Sequence, residues 1–350
     1  MAALIDPIST GDFMKTILVT GANGEIGHGL IGRYAEREDV DVVALDLHAL
    51  DESLRPKCKH SVAGDILDPN LLQSLSAQFD FDAIFHLAAL LSTKSEREPT
   101  LANRVNVNGT LNVLEMAIGQ ARSGDRRVKV IYPSSIAAYG LPSICAKEQA
   151  GRVKEDDYLA PRTMYGINKL YCEQLGNYYA RYYRQLDADS SKGALDFRGI
   201  RFPGLISAQT VPTGGTSDFA PEMLHAAAQG KPYACFVRED TRIPFMAMPD
   251  AVDAMLALEN APAEALSRPV YNIAAFSPTA AQVRELVKRA FPAADISFVP
   301  DLKRQAILDS WPLDVDDDAA RHDWNWVHRY DFNRAFDEYL LPGVAKRYAP

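Results

Sequence analysis

A tyrosine and a lysine stand four residues apart in the segment YGINK, and this pair is well suited to acid–base chemistry. Residues four apart share one face of a helix, so Tyr165 and Lys169 would be neighbours. A free phenol has a pKa of about 10, and a neighbouring ammonium favours the phenolate. Tyr165 is therefore a candidate base that takes a proton from an alcohol. The alternative is a core tyrosine beside a surface lysine.

Ser135 is the predicted partner of this pair. It follows the predicted strand Val128–Tyr132, and polar groups at the carboxyl ends of parallel strands face the crevice where ligands bind. A serine hydroxyl there would hydrogen-bond the same alcohol oxygen and stabilise the developing carbonyl while hydride leaves the carbon. Ser135, Tyr165 and Lys169 are the predicted catalytic residues.

A glycine-rich turn joins the predicted strand Thr16–Thr20 to a helix. The segment is GANGEIG, with glycines at a spacing of three and three. A pyrophosphate reaches the backbone N–H groups of a helix N-terminus only where no side chain blocks it, and the last glycine allows close helix packing. The turn predicts a dinucleotide site, with a merely tight turn as the alternative. Its predicted contacts are Gly21, Asn23, Gly24, Ile26 and Gly27.

A carboxylate follows the next predicted strand, Val40–Leu45. Asp46 lies 25 residues after Gly21, near the offset of roughly 20 residues at which an acid binds the adenosine ribose hydroxyls. A carboxylate there would repel a 2′-phosphate, and the next arginine is Arg55. The sequence therefore favours NAD over NADP.

Further cofactor contacts are expected after the third and fourth strands. Asp65 either reaches the adenine amino group or caps its own turn. Small residues follow His86, which suits a backbone lying close to a cofactor, and His86 itself is predicted to be structural. Lys169 would also bind the nicotinamide ribose. The remaining predicted cofactor contacts are Ile66, Leu87, Ala88, Ala89, Asn106 and Tyr165.

Strands and helices alternate along the first 200 residues, which predicts an α/β fold with a doubly wound parallel sheet, the Rossmann fold. Helices are expected at 25–36, 69–76, 101–120 and 163–183. After about residue 202, prolines and glycines interrupt the pattern, and a smaller substrate-binding lobe is expected to begin. The predicted divisions are an extension at 1–14, an NAD-binding domain at 15–202, and a lobe at 203–350, part of which returns to the first domain.

Composition excludes several classes of protein. The chain has 350 residues and a formal charge of −9, with no basic cluster for nucleic acid. The four cysteines have no metal or redox spacing, so neither a metal site nor a disulfide is expected. No apolar run is long enough to suggest a membrane span. A cytoplasmic location is predicted.

The order of the glycine turn, Ser135 and the Tyr165/Lys169 pair resembles the extended short-chain dehydrogenase/reductase superfamily. A narrower likeness, to its L-threonine 3-dehydrogenases, lies in residues 86–92, 104–109, 212–220, 239–251 and 309–312. The likeness covers most of residues 15–340. It implies oxidation of L-threonine by NAD⁺ to L-2-amino-3-oxobutanoate, without a metal ion.

The resemblance also implies an amino-acid pocket. Ser135 and Ser217 stand where this group often has threonine, and both keep a hydroxyl. Thr216 and Ser217 have the alternative of capping a helix, and Trp311 that of packing in the lobe. The implied substrate contacts are Ser92, Ser134, Ser135, Tyr165, Thr216, Ser217 and Trp311.

Two other functions remain open at this point. A nucleotide-sugar epimerase or dehydratase would use the same triad but return the hydride within each turnover; the lobe shows no evident arginine and lysine cluster for its diphosphate. A non-catalytic NAD-sensing scaffold would not need an acid–base pair. A homodimer or higher oligomer is expected, with the helices at 101–120 and 163–183 as candidate interfaces. No functional role is inferred for the polar loop 185–196.

Overall fold

The computed structural model describes residues 14–187, 195–212 and 214–348. The predicted extension 1–14, apart from Met14, lies outside these residues, as does most of the loop 185–196. In the described part of the chain, no helix is long and apolar enough to cross a membrane.

Thirteen strands are present in the described residues: β1 (Lys15–Thr20), β2 (Val40–Asp46), β3 (His60–Ala63), β4 (Ala83–His86), β5 (Val128–Ser135), β6 (Arg152–Val153), β7 (Leu195–Phe202), β8 (Gly204–Ile206), β9 (Tyr233–Cys235), β10 (Phe245–Ala247), β11 (Val270–Asn272), β12 (Ile296–Phe298) and β13 (Asp314–Val315). Seven of them form a parallel sheet in the order β3-β2-β1-β4-β5-β7-β11. The order reverses direction between β1 and β4, which is the switch point of a doubly wound sheet.

The α-helices of the same residues are α1 (Glu25–Tyr34), α2 (Pro69–Gln78), α3 (Ser92–Arg97), α4 (Pro99–Asn103), α5 (Gly109–Ser123), α6 (Ile144–Ala150), α7 (Met164–Arg181), α8 (Phe219–Ala228), α9 (Met248–Asn260), α10 (Ala280–Ala290), α11 (Leu302–Asp309), α12 (Asp318–Trp324), α13 (Phe332–Arg334) and α14 (Leu341–Tyr348). Short 3₁₀ turns lie at Arg55–Lys57, Ile136–Ala138 and Ala263–Ala265, and π turns at Arg104–Asn108 and Ala335–Leu340.

Helices cover both faces of the sheet, because its central strands β1, β4, β5 and β7 are largely buried on both sides. One buried cluster joins the sheet to α1, α9 and α12, and a second joins it to α2, α5 and α7. A third cluster lies among the elements after β7 together with the 3₁₀ turn 136–138. The predicted α/β Rossmann fold is confirmed.

Residues beyond 202 also enter the sheet. β11 pairs with β7 at the sheet edge, and α9 packs in the same cluster as α1. Two further two-stranded ladders lie within this region, β8 with β10 and β9 with β12, and its β13 pairs with β6 of the preceding part of the chain.

The predicted helix 101–120 is divided in the structure. α4 ends at Asn103, the π turn Arg104–Asn108 follows, and α5 continues from Gly109. A π turn adds a residue to one helical turn and so redirects side chains, often at functional sites. Apolar spacing alone does not distinguish this arrangement from a regular helix.

Candidate active site

The glycine turn after β1 lies directly against the residues after β4. Gly21 has φ +68, and a Cβ there would stand 2.7 Å from the backbone nitrogen of Ala88. Both the positive φ and the close approach require glycine. The turn thus lies at the switch point between β1 and β4, where doubly wound sheets bind ligands.

The start of α1 is open to an anion. Gly24 precedes the helix and has no side chain to occupy its first N–H groups. A Cβ at Gly27 would overlap the carbonyl oxygen of Ala22, so this glycine allows the helix to pack on the turn. Ile26 lies between them and packs against the cluster that contains α1. This cradle fits a dinucleotide pyrophosphate.

Asp46 is fixed beside the glycine turn. Its carboxylate accepts the backbone N–H of Asn23 at 3.0 Å and that of His48 at 3.1 Å. The Asn23 side chain in turn bonds Ala49 O and Asp51 N–H, each at 3.0 Å. An oriented carboxylate at this point fits the ribose end of the same dinucleotide.

The other predicted cofactor contacts lie along the same carboxyl edge of the sheet. Oδ1 of Asp65 accepts the N–H of Leu67 at 2.9 Å and so caps its own turn, while contact of this carboxylate with adenine stays a prediction. Ile66 is buried against Gly109 at the start of α5. Leu87, Ala88 and Ala89 follow β4 directly and are partly buried.

Asn106, in the π turn, holds the chain that follows β4. Its side chain accepts the N–H of Leu90 at 2.7 Å and donates to the Leu90 carbonyl at 3.1 Å. Its own carbonyl accepts the hydroxyl of Thr110 at 2.6 Å. The side chain therefore positions the backbone beside the glycine turn.

His86 belongs to a buried chain of hydrogen bonds rather than to the predicted triad. Thr110 donates to Asn106, so its oxygen accepts from Nε2 of His86 at 3.0 Å, and Thr20 donates to Nδ1 at 2.8 Å. Burial, together with the charge of Lys169, lowers the pKa of His86 to about 3. The ring is neutral and joins β1 and β4 to the first turn of α5, where Thr110 in turn bonds Asn106 of the π turn.

Tyr165 and Lys169 are brought together on α7. The Lys169 ammonium lies 5.5 Å from the centroid of the Tyr165 ring and 4.5 Å from that of Tyr132, and it donates to the Pro133 carbonyl at 2.6 Å. Burial lowers the pKa of Lys169 to about 8, and Cys172 and Glu173 oppose that shift. Burial also raises the pKa of Tyr165.

Ser135 ends β5 beside the helix that carries Tyr165. Its hydroxyl accepts the N–H of Ala137 at 3.1 Å and is partly buried. A Cβ at Gly166 would overlap the Ala137 carbonyl, so the first turn of α7 contacts the turn that follows Ser135. The three predicted catalytic residues therefore occupy adjoining segments.

Ser134 is directed elsewhere. Neighbours in a strand face opposite sides of the sheet, and the Ser134 hydroxyl donates to the buried carboxylate of Glu173. The structure does not bring this hydroxyl to the side of Ser135.

Two of the hydroxyls that are predicted to contact the substrate lie close together, although their residues are 124 positions apart in the sequence. Thr216 Oγ1 lies 3.1 Å from Ser92 Oγ. Ser92 begins α3, and Glu96 of that helix accepts the N–H of Met164 at 2.6 Å, which ties α3 to the start of α7. The hydroxyl pair is thus linked to the helix that carries Tyr165.

The other lobe residues have separate surroundings. Asp218, not Thr216 or Ser217, is the residue that precedes α8, and its carboxylate accepts the N–H of Gly215 at 2.6 Å. Ser217 is partly buried beside Gly204. Trp311 is buried in the cluster formed by the lobe.

Sequence reasoning missed a buried ionic cluster beneath the site. Arg201 forms a bidentate pair with Glu173, at 2.9 and 2.6 Å, and also bonds Tyr139 OH at 2.8 Å. A signal was present, since Glu173 stands four residues after Lys169 and Arg201 stands between the apolar residues Ile200 and Phe202. A cavity of about 240 Å³ is lined by both members of the pair and by Glu155, Asn177 and Arg268.

Known proteins resemble the chain over nearly its whole length. The L-threonine 3-dehydrogenase, mitochondrial, of Bos taurus is 34% identical over 330 residues, 91% of this chain and 79% of the relative. A solved holo L-threonine dehydrogenase from Cupriavidus necator is 35% identical, with a TM-score of 0.81, and the match covers 95% of this chain and 99% of that one. A solved L-threonine 3-dehydrogenase from a metagenome, described as monomeric, is 33% identical, with a TM-score of 0.80 and coverages of 95% and 99%.

The family model of the NAD dependent epimerase/dehydratase family matches residues 17–274, most of the chain. This match and the relatives confirm the resemblance drawn from the sequence, and the glycine cradle and Asp46 fit the cofactor. The chain is therefore an enzyme of the NAD dependent epimerase/dehydratase family, and NAD is its cofactor.

Proposed function

We propose that this enzyme oxidises the C3 hydroxyl of L-threonine to L-2-amino-3-oxobutanoate and releases NADH. The observation that carries the proposal is the Lys169 ammonium held between the Tyr165 ring and the end of β5. Relatives named for threonine dehydrogenase activity support the choice of substrate.

The residues would act together on the alcohol. Tyr165 as phenolate takes the hydroxyl proton, and Ser135 donates a hydrogen bond to the same oxygen as the C3–O bond becomes a carbonyl. Lys169 supplies positive charge that favours the phenolate, against the burial that raises the pKa of Tyr165. Bound NAD supplies the hydride acceptor and, while oxidised, a further positive charge.

The chain's own residues would hold the two ligands. The backbone of Gly21, Asn23, Gly24 and Gly27 would hold the pyrophosphate, and Asp46 the adenosine ribose. The predicted contacts at Ile26, Asp65, Ile66, 87–89 and Asn106 would complete the cofactor site.

The substrate would be a small zwitterion bound by hydroxyls. Ser92 and Thr216 are the strongest candidates, because their hydrogen bond joins the lobe to the segment after β4. Ser217 and Trp311 lie in the same lobe and remain predicted contacts, as does Ser134, whose hydroxyl would have to leave Glu173. We propose that no metal ion takes part.

The proposal is tested by NADH formation from NAD⁺ and L-threonine, run beside L-serine, D-threonine, a UDP-hexose and NADP⁺. NADH that depends on L-threonine supports it. Isomerisation of the UDP-hexose without net NADH would replace it with an epimerase. Cell fractionation and sedimentation would test the predicted cytoplasmic location and homodimer.

A further inference from the structure

We infer that Glu173 and Arg201 are positioning residues that set Lys169 and Tyr165 against the end of β5. The inference rests on the proposed roles of Tyr165 and Lys169. It begins from the place of Glu173 on α7, one turn beyond Lys169 and two turns beyond Tyr165, on the same face of the helix.

Two side chains of α7 form hydrogen bonds with consecutive residues of β5. Lys169 donates to the carbonyl of Pro133 at 2.6 Å, and Glu173 accepts the hydroxyl of Ser134. The next residue of the strand is Ser135. The helix is therefore fixed to the strand immediately before the predicted polarising hydroxyl.

The sheet holds the other side of Glu173. Arg201 lies opposite Ser134 in the β5–β7 register, and Asn272 of β11 lies opposite Arg201. Both guanidinium nitrogens that face Glu173 bond its carboxylate, and Nη1 bonds Tyr139 OH at 2.8 Å and the Glu155 carbonyl at 2.6 Å. The planar guanidinium of Arg201 is hydrogen-bonded to all these groups and is therefore held in a single orientation.

Burial makes the pair sensitive to loss of either charge. Glu173 is 1% exposed and Arg201 is 3% exposed. Removing one partner leaves a buried charge without compensation, and the helix has to shift to relieve it. A displacement of about 1 Å at reacting groups can lower a rate by about 100-fold.

The carboxylate also acts on Lys169 electrostatically. Glu173 and Cys172 raise the pKa of Lys169, while burial lowers it to about 8. In Glu173→Gln the negative charge is lost and the Arg201 cation is left unbalanced, and both changes lower the pKa of Lys169. The other titratable groups that face Lys169 are Tyr132 on β5, Tyr165 on α7 and His86 on β4.

The chain offers a matched control on the same strand. Asp196 and Arg198 form a second buried bidentate pair, at 2.9 and 2.7 Å, near the opposite end of β7. Asp196→Asn, like Glu173→Gln, removes a buried carboxylate charge that is paired with an arginine of β7. It is far in sequence from the segments that carry the triad, and Arg198 bonds carbonyls at the end of α9 instead.

The test compares full-length wild type, Glu173→Gln and Asp196→Asn. We expect kcat with the wild type's substrate to fall about 100-fold in Glu173→Gln. The loss of kcat/KM at alkaline pH should begin at lower pH in this variant, because the pKa of Lys169 is lowered. Asp196→Asn keeps kcat and the pH profile. Equal losses in both variants, with no change of pH profile, would overturn the inference.

A second measurement does not need turnover. The titration of Lys169 is followed by ¹³C NMR of labelled lysines, with Lys169→Arg to assign its signal. A lower Lys169 pKa in Glu173→Gln alone supports the inference, and an unchanged pKa contradicts it. If wild type oxidises no threonine, the proposed function fails while this titration still decides the role of Glu173.

An apolar double variant covers the case in which Glu173→Gln does not fold. Replacing both members of a buried pair by apolar groups is often tolerated. We expect Glu173→Leu/Arg201→Met to fold and bind NAD with the same loss of kcat. Full activity in that variant would contradict a positioning role.

Discussion

Thr216 and Ser92 form a hydroxyl pair between the lobe and the segment beside the sheet, with 3.1 Å between their oxygens. Thr216 precedes α8 in the lobe, whereas Ser92 begins α3 beside the sheet. Thr93, the next residue, donates to the Gly214 carbonyl at 2.9 Å. The lobe and the predicted catalytic helix are thus connected at the proposed substrate pocket.

The first prediction concerns this pair. Thr216→Val removes the hydroxyl at constant volume and should raise the KM for L-threonine roughly tenfold, because a hydrogen bond to a charged group contributes about 1.5–3 kcal/mol. Steady-state kinetics measure the change. Thr241→Val is the control, since Thr241 is a buried lobe hydroxyl bonded to Gln305. A KM that moves equally in both variants would refute a substrate contact.

The second prediction concerns the base. Tyr165→Phe should lower kcat by at least about 100-fold, the usual contribution of general base catalysis, while NAD still binds. Rapid kinetics and a cofactor-binding titration measure the two quantities. Tyr179→Phe, on the same helix and bonded through its hydroxyl to Glu115, should retain activity. Substantial turnover by Tyr165→Phe would exclude the phenol as base.

The third prediction is a pH dependence of stability. His86 has a pKa of about 3 in the folded chain, against about 6.5 when unfolded. Between these values the unfolded state binds more protons, so the free energy of unfolding falls as pH falls, by about 2 kcal/mol from pH 6.5 to 5. Urea unfolding at both pH values measures it.

His86→Gln tests the cause of that dependence. The variant should lose this part of the pH dependence, whatever its stability at neutral pH. The exposed His48 provides the control as His48→Gln. An unchanged slope in His86→Gln would show that other groups cause the acid loss.

The fourth prediction is the oligomeric state. Ile167, Tyr171 and Tyr178 share one face of α7, Tyr182 follows the helix directly, and each of the four is 41–52% exposed. An apolar stripe of this kind is typical of an interface, so we expect a homodimer through α7 that Tyr171→Glu converts to monomer. Sedimentation velocity measures it, with Val327→Glu, at an exposed apolar residue outside α7, as control. A monomeric wild type, as described for the metagenome relative, would contradict it.

The sheet and the glycine turn were predictable from the sequence because each depends on residues that are close together in the chain. Alternation of apolar strands with helical spacing gives the order of elements, and Gly21 before a helix indicates close approach of another backbone. The contact of Gly21 with Ala88 agrees with the predicted order of strands and with the close approach that a glycine indicates.

Other features of the site could not be predicted, because they depend on hydrogen bonds between residues that are distant in the sequence. Ser134 and Ser135 face opposite sides of β5, which strand geometry predicts, but the binding of Ser134 to Glu173 required the position of α7. Asn106 in the π turn bonds Leu90, a contact that helical periodicity in the sequence does not predict. Likewise, the hydrogen bond between Ser92 and Thr216 exists only once the lobe is folded against α3.

The most direct measurement is the fate of the C3 hydrogen. The enzyme is incubated with NAD⁺ and L-threonine deuterated at C3, and the reduced cofactor is examined by NMR. We predict deuterium at C4 of NADH in wild type and none with Tyr165→Phe. Absence of deuterium transfer by wild type, with isomerisation of a UDP-hexose in the same assay, would contradict the proposed reaction.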